Sequence, residues 1–184
     1  MSEATQTTIG EPAAGAAGLE YDCAYSDIVS LIAGEEVSPG RWVAITSEGT
    51  CEYADAGAEI TAKEGGVVML DSSKASGESS YVAGEPVRVM RRGRVWVLIE
   101  ETVVNTDAVY VRHTAAGEEL LGTFRNDADT SDAAVPVGAK WFRGGTAGAG
   151  LAVLELGVGG STGAQGAQGA QGAQGAQGAQ GAAG

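Results

Sequence analysis

The sequence predicts an all-β protein: a compact β-barrel or sandwich domain with an extended N-terminal arm and a C-terminal glycine-repeat, triple-stranded rod. Three observations carry this. Short apolar runs rich in Val, Ile, Leu and Trp recur between glycine turns from Tyr21 onward. Residues 1–20 hold almost no large apolar side chain apart from Ile9 and Leu19 among Ala, Gly, Thr and Glu. From Gly163 the chain repeats Gly-Ala-Gln six times to Gln180, so that Gly163, Gly166, Gly169, Gly172, Gly175, Gly178 and Gly181 keep a strict period of three. The division that follows is an arm over 1–20, a β-rich domain over 21–158 and a repeat tail over 159–184.

The arm cannot bury enough apolar surface to fold alone, so it is expected to lie extended and to order on binding. It suits reaching over a neighbour and adding a strand to an exposed sheet edge. Ser26 to Ala33 could pass for a helix, because Ile28, Leu31 and Ile32 fall on one helical face, yet its β-branched residues and shortness keep a strand or turn open. The runs Arg41–Thr46, Gly66–Leu70, Pro86–Met90, Gly93–Ile99, Ala108–Arg112 and Leu151–Leu156 read as strands. Between the third and fourth, Met90-Arg91-Arg92-Gly93-Arg94 reads as a hairpin with Gly93 at positive φ, which would hold a basic turn out from an acidic protein. Gly144 to Gly150 lacks the lysine of a phosphate loop and precedes a strand, so it reads as a hairpin loop.

In the tail, glycine at every third position is what three polyproline-like strands require at their shared axis. The repeat has no proline to pre-set that backbone, so a collagen superhelix, another glycine-rich bundle and a flexible linker all stay open. Extended, its triplets span about 55 Å.

Eleven basic residues against twenty-four acidic ones give a net charge of −13, all of it outside the uncharged repeat. That balance opposes a nucleic-acid partner. No apolar stretch is long enough for a membrane-spanning helix, and Met1 to Ala17 lacks the basic and apolar regions of a secretory leader, so synthesis without Sec export is expected. Cys23 and Cys51 with the single His113 do not make a zinc site; buried reduced thiols are expected, with a disulfide as the alternative.

Four of the basic residues, Arg88, Arg91, Arg92 and Arg94, fall within seven positions. They read either as a patch that docks on an acidic surface of a partner or sister subunit, or as the solvated side of a strand pair. Asn126 to Asp132 alternates oxygen side chains like a calcium loop, but without the glycine and closing glutamate of that loop it reads as a polar loop with Asx-turns. No nucleophile motif accompanies His113 and no spacing singles out a pair of carboxylates, so no catalytic residue, cofactor or metal is assigned. Trp42, Trp96 and Trp141 are set among apolar neighbours and are expected in the core or a trimer interface.

In this order the segments Tyr25–Glu35, Pro39–Arg41, Ala83–Val89, Gly93–Val97, Asp107–Arg112, Gly122–Asp129 and Gly150–Leu156 resemble the structural cement, or capsid decoration, proteins of tailed bacteriophages. The resemblance covers about residues 21–158 and leaves out the arm and the repeat. It implies a non-enzymatic virion protein, made in the host cytoplasm, that sits as a homotrimer on the outer surface of an icosahedral head and clamps the major capsid protein. The alternative is a collagen-like cell-surface or spore-surface adhesion protein with a β-rich binding domain.

Overall fold

A computed structural model describes residues 15–157, except 23–24, 47–48, 63, 72–79, 116, 118 and 149. The elements run β1 (Asp27–Ala33), β2 (Trp42–Ile45), β3 (Thr50–Glu52), α1 (Gly57–Ala62), β4 (Gly65–Val68), β5 (Pro86–Leu98), β6 (Tyr110–Arg112), β7 (Phe124–Arg125), β8 (Ala133–Ala134), β9 (Ala139–Arg143) and β10 (Leu151–Leu156). The chain is mostly strand, as expected, with a barrel-like sheet at its centre.

The main sheet has the order β1-β3-β2-β4-β5-β10-β9, and β1 pairs with β5 as well. That extra pairing closes β1, β3, β2, β4 and the first half of β5 into a ring. A closed ring has no free edge, which removes the main aggregation hazard of a β protein. The second half of β5 leaves the ring and pairs with β10 from Gly93↔Leu156 to Leu98↔Leu151. A separate three-stranded sheet, β7-β6-β8, packs beside this extension.

These pairings decide one open reading and correct another. Ser26 to Ala33, left open between helix, strand and turn, is strand over Asp27–Ala33: Ile28 to Ile32 pair antiparallel with Met90 to Pro86, and Ile32 and Ala33 pair parallel with β3. Long-range pairing overrides the helical spacing of Ile28, Leu31 and Ile32. Met90 to Arg94 is not a hairpin. Pro86–Leu98 is one strand, irregular opposite Asp27 and Ile28, with Gly93 at φ 122 where it changes partners. The positive φ was foreseen, but it serves a bend within a strand, because the flanking runs pair with different neighbours instead of each other.

The core splits into two clusters on opposite sides of the ring wall. Val43, Cys51, Val68, Val87 and Val89 fall in one, and Trp42, Ala44, Val67, Met90, Val95 and Val97 in the other, with Phe124, Trp141 and Leu154. Successive residues of β2, β4 and β5 thus point to different clusters, so both faces are buried. Strands buried on both faces read as continuous apolar runs, and that is why Val67-Val68-Met69 showed no alternation.

The last residues of the predicted arm that are described join this body. Gly18 and Tyr21 donate backbone hydrogen bonds to the carbonyls of Trp96 and Arg94, and Trp96 donates to Leu19. Residues 18–21 therefore flank β5 through these bonds and the antiparallel bridge Glu20↔Val95. The arm from Met1 to Ala14, Cys23, and the whole repeat from Gly163 to Gly181 lie outside the described residues.

Candidate functional site

Three groups of side chains carry the chemistry of the surface. The first is the arginine strand. Arg88 and Arg92 are exposed, whereas Arg91 is half-buried and reaches Glu64 at 3.3 Å. Arg94 is turned inward to the molecule's own surface: it donates to Asp22 at 2.7 Å and to Glu155 at 3.2 Å, and its guanidinium lies 3.8 Å from the Phe142 ring centroid. The bond to Asp22 is the main cause holding it above its usual pKa. The four arginines predicted as one patch are thus divided, with Arg88 and Arg92 left outward and Arg94 committed within the chain.

The second group is the outer face of β5, β10 and β9. Tyr21 stands between Trp96 and Phe142, with ring centroids 5.7 and 5.5 Å away. Arg143 approaches the Trp96 ring at 6.0 Å, and Lys140 pairs with Glu155 at 3.0 Å. These rings cover Val153, which is fully buried although it belongs to neither core cluster. Among the tryptophans, Trp42 and Trp141 are core, and Trp141 meets Phe124 edge-on at 6.2 Å. Trp96 belongs to the outer face.

The third group is a buried ion network that sequence reasoning missed. Arg112 on β6 is fully buried and donates to both oxygens of Glu100, at 2.7 and 2.9 Å, and to Asp129 at 2.6 Å. Arg125 on β7 donates to Glu100 at 3.1 Å, to Asp129 at 2.9 Å and to Asp127 at 2.7 Å. Thr123 Oγ1 also donates to Glu100. Glu119 reaches Arg112 at 2.9 Å, and Glu101 reaches Arg125 at 3.6 Å. Buried arginines survive only when paired and hydrogen-bonded in this way.

This network explains the acidic loop. Asp127 and Asp129, read as polar loop residues, accept from guanidinium groups. The Asp129 backbone N–H, then Arg125, hold the Asp127 carboxyl below the usual carboxylate range. The loop is a short 3-10 turn in which Asp129, Thr130 and Ser131 all take positive φ, a cost that the ion pairs offset. Among the described residues no group of His, Cys, Asp and Glu could hold a metal ion. The signal available in the sequence was the pair of arginines set in apolar strands, Val111-Arg112 and Phe124-Arg125, ahead of an acidic loop.

His113 is half-buried and touches Thr114 at 3.1 Å. Cys51 is a buried free thiol, pushed up to about 11 mainly by burial and then by Glu52 and Glu35. Such a thiol is a structural group with little thiolate at neutral pH. Among the described residues no helix is long and apolar enough to cross a membrane.

The family described as "Structural cement protein (E217 gp24/Pam3 gp6)" matches residues 5–157. The chain belongs to the phage structural cement proteins. A solved structure titled "The capsid of Myoviridae Phage XM1" contains a chain of similar fold, with a TM-score of 0.64, 15% identity, and coverage of 82% of this chain and 94% of that one. No curated protein matches the sequence. The cement family is structural, which accords with the expectation of a non-enzymatic role. The match begins within the arm and stops before the repeat, so residues 5–14 belong to the shared cement unit and the Gly-Ala-Gln tail does not.

Proposed function

We propose that this cement protein binds the outer surface of an icosahedral phage head as a homotrimer and ties neighbouring major capsid subunits together. The observation that carries the reading is the family match across residues 5–157. Arg88 and Arg92 are the residues assigned to contact, since they point outward from a chain of net charge −13 while Arg94 is already paired. Their partner is acidic surface of the capsid or of a sister copy. A trimer spanning several subunits gains from multivalency, because each further contact forms at high effective concentration.

The repeat supplies the rod, with Gly163, Gly166, Gly169, Gly172, Gly175, Gly178 and Gly181 along its axis. The buried ion network suits a protein that must hold its shape under load, since it ties β6, β7 and two loops into one body. The test is release of packaged DNA on heating heads that lack the protein, with and without the purified chain added. Added protein raises the release temperature; an unchanged release temperature at saturating protein would refute the stabilising role. Solution mass of the full chain and of a chain stopped at Thr162 then locates the trimer contact: a trimer in both forms puts it in the β domain, and a monomer after truncation puts it in the repeat.

A further inference from the structure

β1 outruns the closure of the ring. β3 pairs with β1 only at Ile32↔Thr50 and Ala33↔Cys51, whereas β5 pairs with it from Asp27 to Ile32. Asp27 to Leu31 therefore overhang the ring, with no strand on their second side among the described residues. The bonds around the closure fix which way the backbone groups point. Ile32 donates to the Gly49 carbonyl, on the β3 side, at 3.2 Å, and Ala33 donates to the Glu85 carbonyl, on the β5 side, at 2.9 Å. Alternation along the strand then turns Val29 and Leu31 toward β5 and Ile28 and Ser30 toward the open side. The partners agree: Pro86, opposite Ile32, has no N–H to give, and the carbonyl of Arg88, opposite Ser30, accepts from Met69 on the far side of β5.

We propose that this overhang receives an extended acidic segment of the major capsid subunit as an added strand, bonded to the backbone of Ile28 and Ser30, with a carboxylate of the segment meeting Arg88 across Ser30. The inference rests on the capsid binding proposed above and names the contact within it. Arg88 stands directly opposite Ser30, is exposed, and takes part in no ion pair among the described residues. Ser30 is exposed too, and its small side chain leaves the way over β1 clear. An added strand would lie two strand spacings, about 10 Å, from β5, a gap that an extended arginine and an Asp or Glu side chain close from both sides. Arg92 faces Asp27 and is the lesser anchor.

Charge selects the occupant, because an unpaired arginine beside an open edge favours a strand that carries an acid. β9, the terminal strand of the main sheet, has no Asp or Glu, so a sister copy's β9 seated there would leave Arg88 without a carboxylate. Tyr25, 79% exposed, and Ile32, 43% exposed, stand at the two ends of the overhang and give alternate side chains of the added strand apolar surface to cover. Only Ile28 and Ser30 turn backbone groups outward, so each contact is short and weak by itself, which suits a protein that binds through several copies at once.

The test is amide hydrogen exchange, read residue by residue, on the full chain free and bound to heads that lack it. Exchange at Ile28 and Ser30 slows at least tenfold on binding, while Val29 and Leu31, already in the β5 ladder, change little. A chain that binds heads with Ile28 and Ser30 still in fast exchange would overturn the added strand and leave capsid binding standing; a chain that does not bind would overturn both. Ile28 and Ser30 already protected in the free chain, and more so as its concentration rises, would assign the edge to a second copy and overturn the capsid occupant. Two variants give the second readout. Ser30→Pro removes the outward N–H and leaves the β5 ladder its bonds, and Ser30→Glu, at an exposed site that tolerates it, offers Arg88 a carboxylate of its own and repels the acidic segment. Each is expected to bind heads at least tenfold more weakly than the parent, and a Ser30→Glu chain with unchanged melting temperature and unchanged binding would overturn the proposal.

Discussion

Replacing Glu100 with Gln probes the strongest polar feature of the molecule. Glu100 accepts two bonds from Arg112, one from Arg125 and one from Thr123. The side chains of Arg112, Arg125 and Glu100 are 0%, 9% and 13% exposed, so water cannot take its place. Gln keeps the shape but removes the charge, and its amide presents two donors toward guanidinium groups that are themselves donors. Breaking a buried pair by removing one partner costs about 3–5 kcal/mol. Asp129, Glu119, Asp127 and Glu101 still serve the two arginines, which places the expected loss at the low end, about 3 kcal/mol.

For a chain of 184 residues that corresponds to a fall in melting temperature of about 6–12 °C. Differential scanning calorimetry or urea unfolding monitored by Trp fluorescence reads it. Arg91→Ala, which breaks the surface pair of half-buried Arg91 with exposed Glu64, is the control and shifts stability by no more than about 0.5 kcal/mol. A Glu100→Gln protein that melts within about 2 °C of the parent would show that the arginines are stable without their central carboxylate, contrary to this expectation.

Three further outcomes are expected. Gly122→Ala destabilises by about 2 kcal/mol or more in the same unfolding assay, since Gly122 sits at φ 75 and a Cβ would lie 2.5 Å from the Trp42 carbonyl oxygen. In a Cys23→Ser background the Cys51 thiol, buried and raised to about 11, stays unlabelled by a thiol reagent at pH 8 until denaturant unfolds the chain. The Asp127 carboxyl is held below its ordinary value, so its contribution is present above the unfolded-state pKa and is lost as pH falls through the lower folded value; melting temperature therefore drops in the acid range, and Asp127→Asn flattens that part of the profile.

How far the sequence speaks depends on what each element is made of. β2, β4, β5, β6 and β10 stood out because their Val, Trp, Ile and Leu are buried in long runs. β3, Thr50-Cys51-Glu52, is three residues with one buried side chain, too little pattern to register. β9 mixes Lys140 and Arg143 with Trp141 and lies outside the six predicted runs for the same reason. Ser26 to Ala33 stayed open because Ile28, Leu31 and Ile32 share one helical face while the β-branched residues favour a strand, and only pairing with β5 decides between them. The arginine strand was visible as charge, but its division into exposed Arg88 and Arg92 and committed Arg94 depends on Asp22 and Glu155, which are distant in sequence. The Glu100 network was only half legible for that reason too: arginines set in apolar strands hint at it, but its carboxylates come from separate loops that only the folded topology brings together.

Co-sedimentation of the purified full chain with heads lacking it tests the proposed binding to the assembled head. Saturable binding in multiples of three copies per site is expected, weakened at least tenfold in an Arg88→Ala, Arg92→Ala variant whose melting temperature is unchanged. A chain that stays in the supernatant at every salt concentration, with the heads bare in electron micrographs, would contradict it.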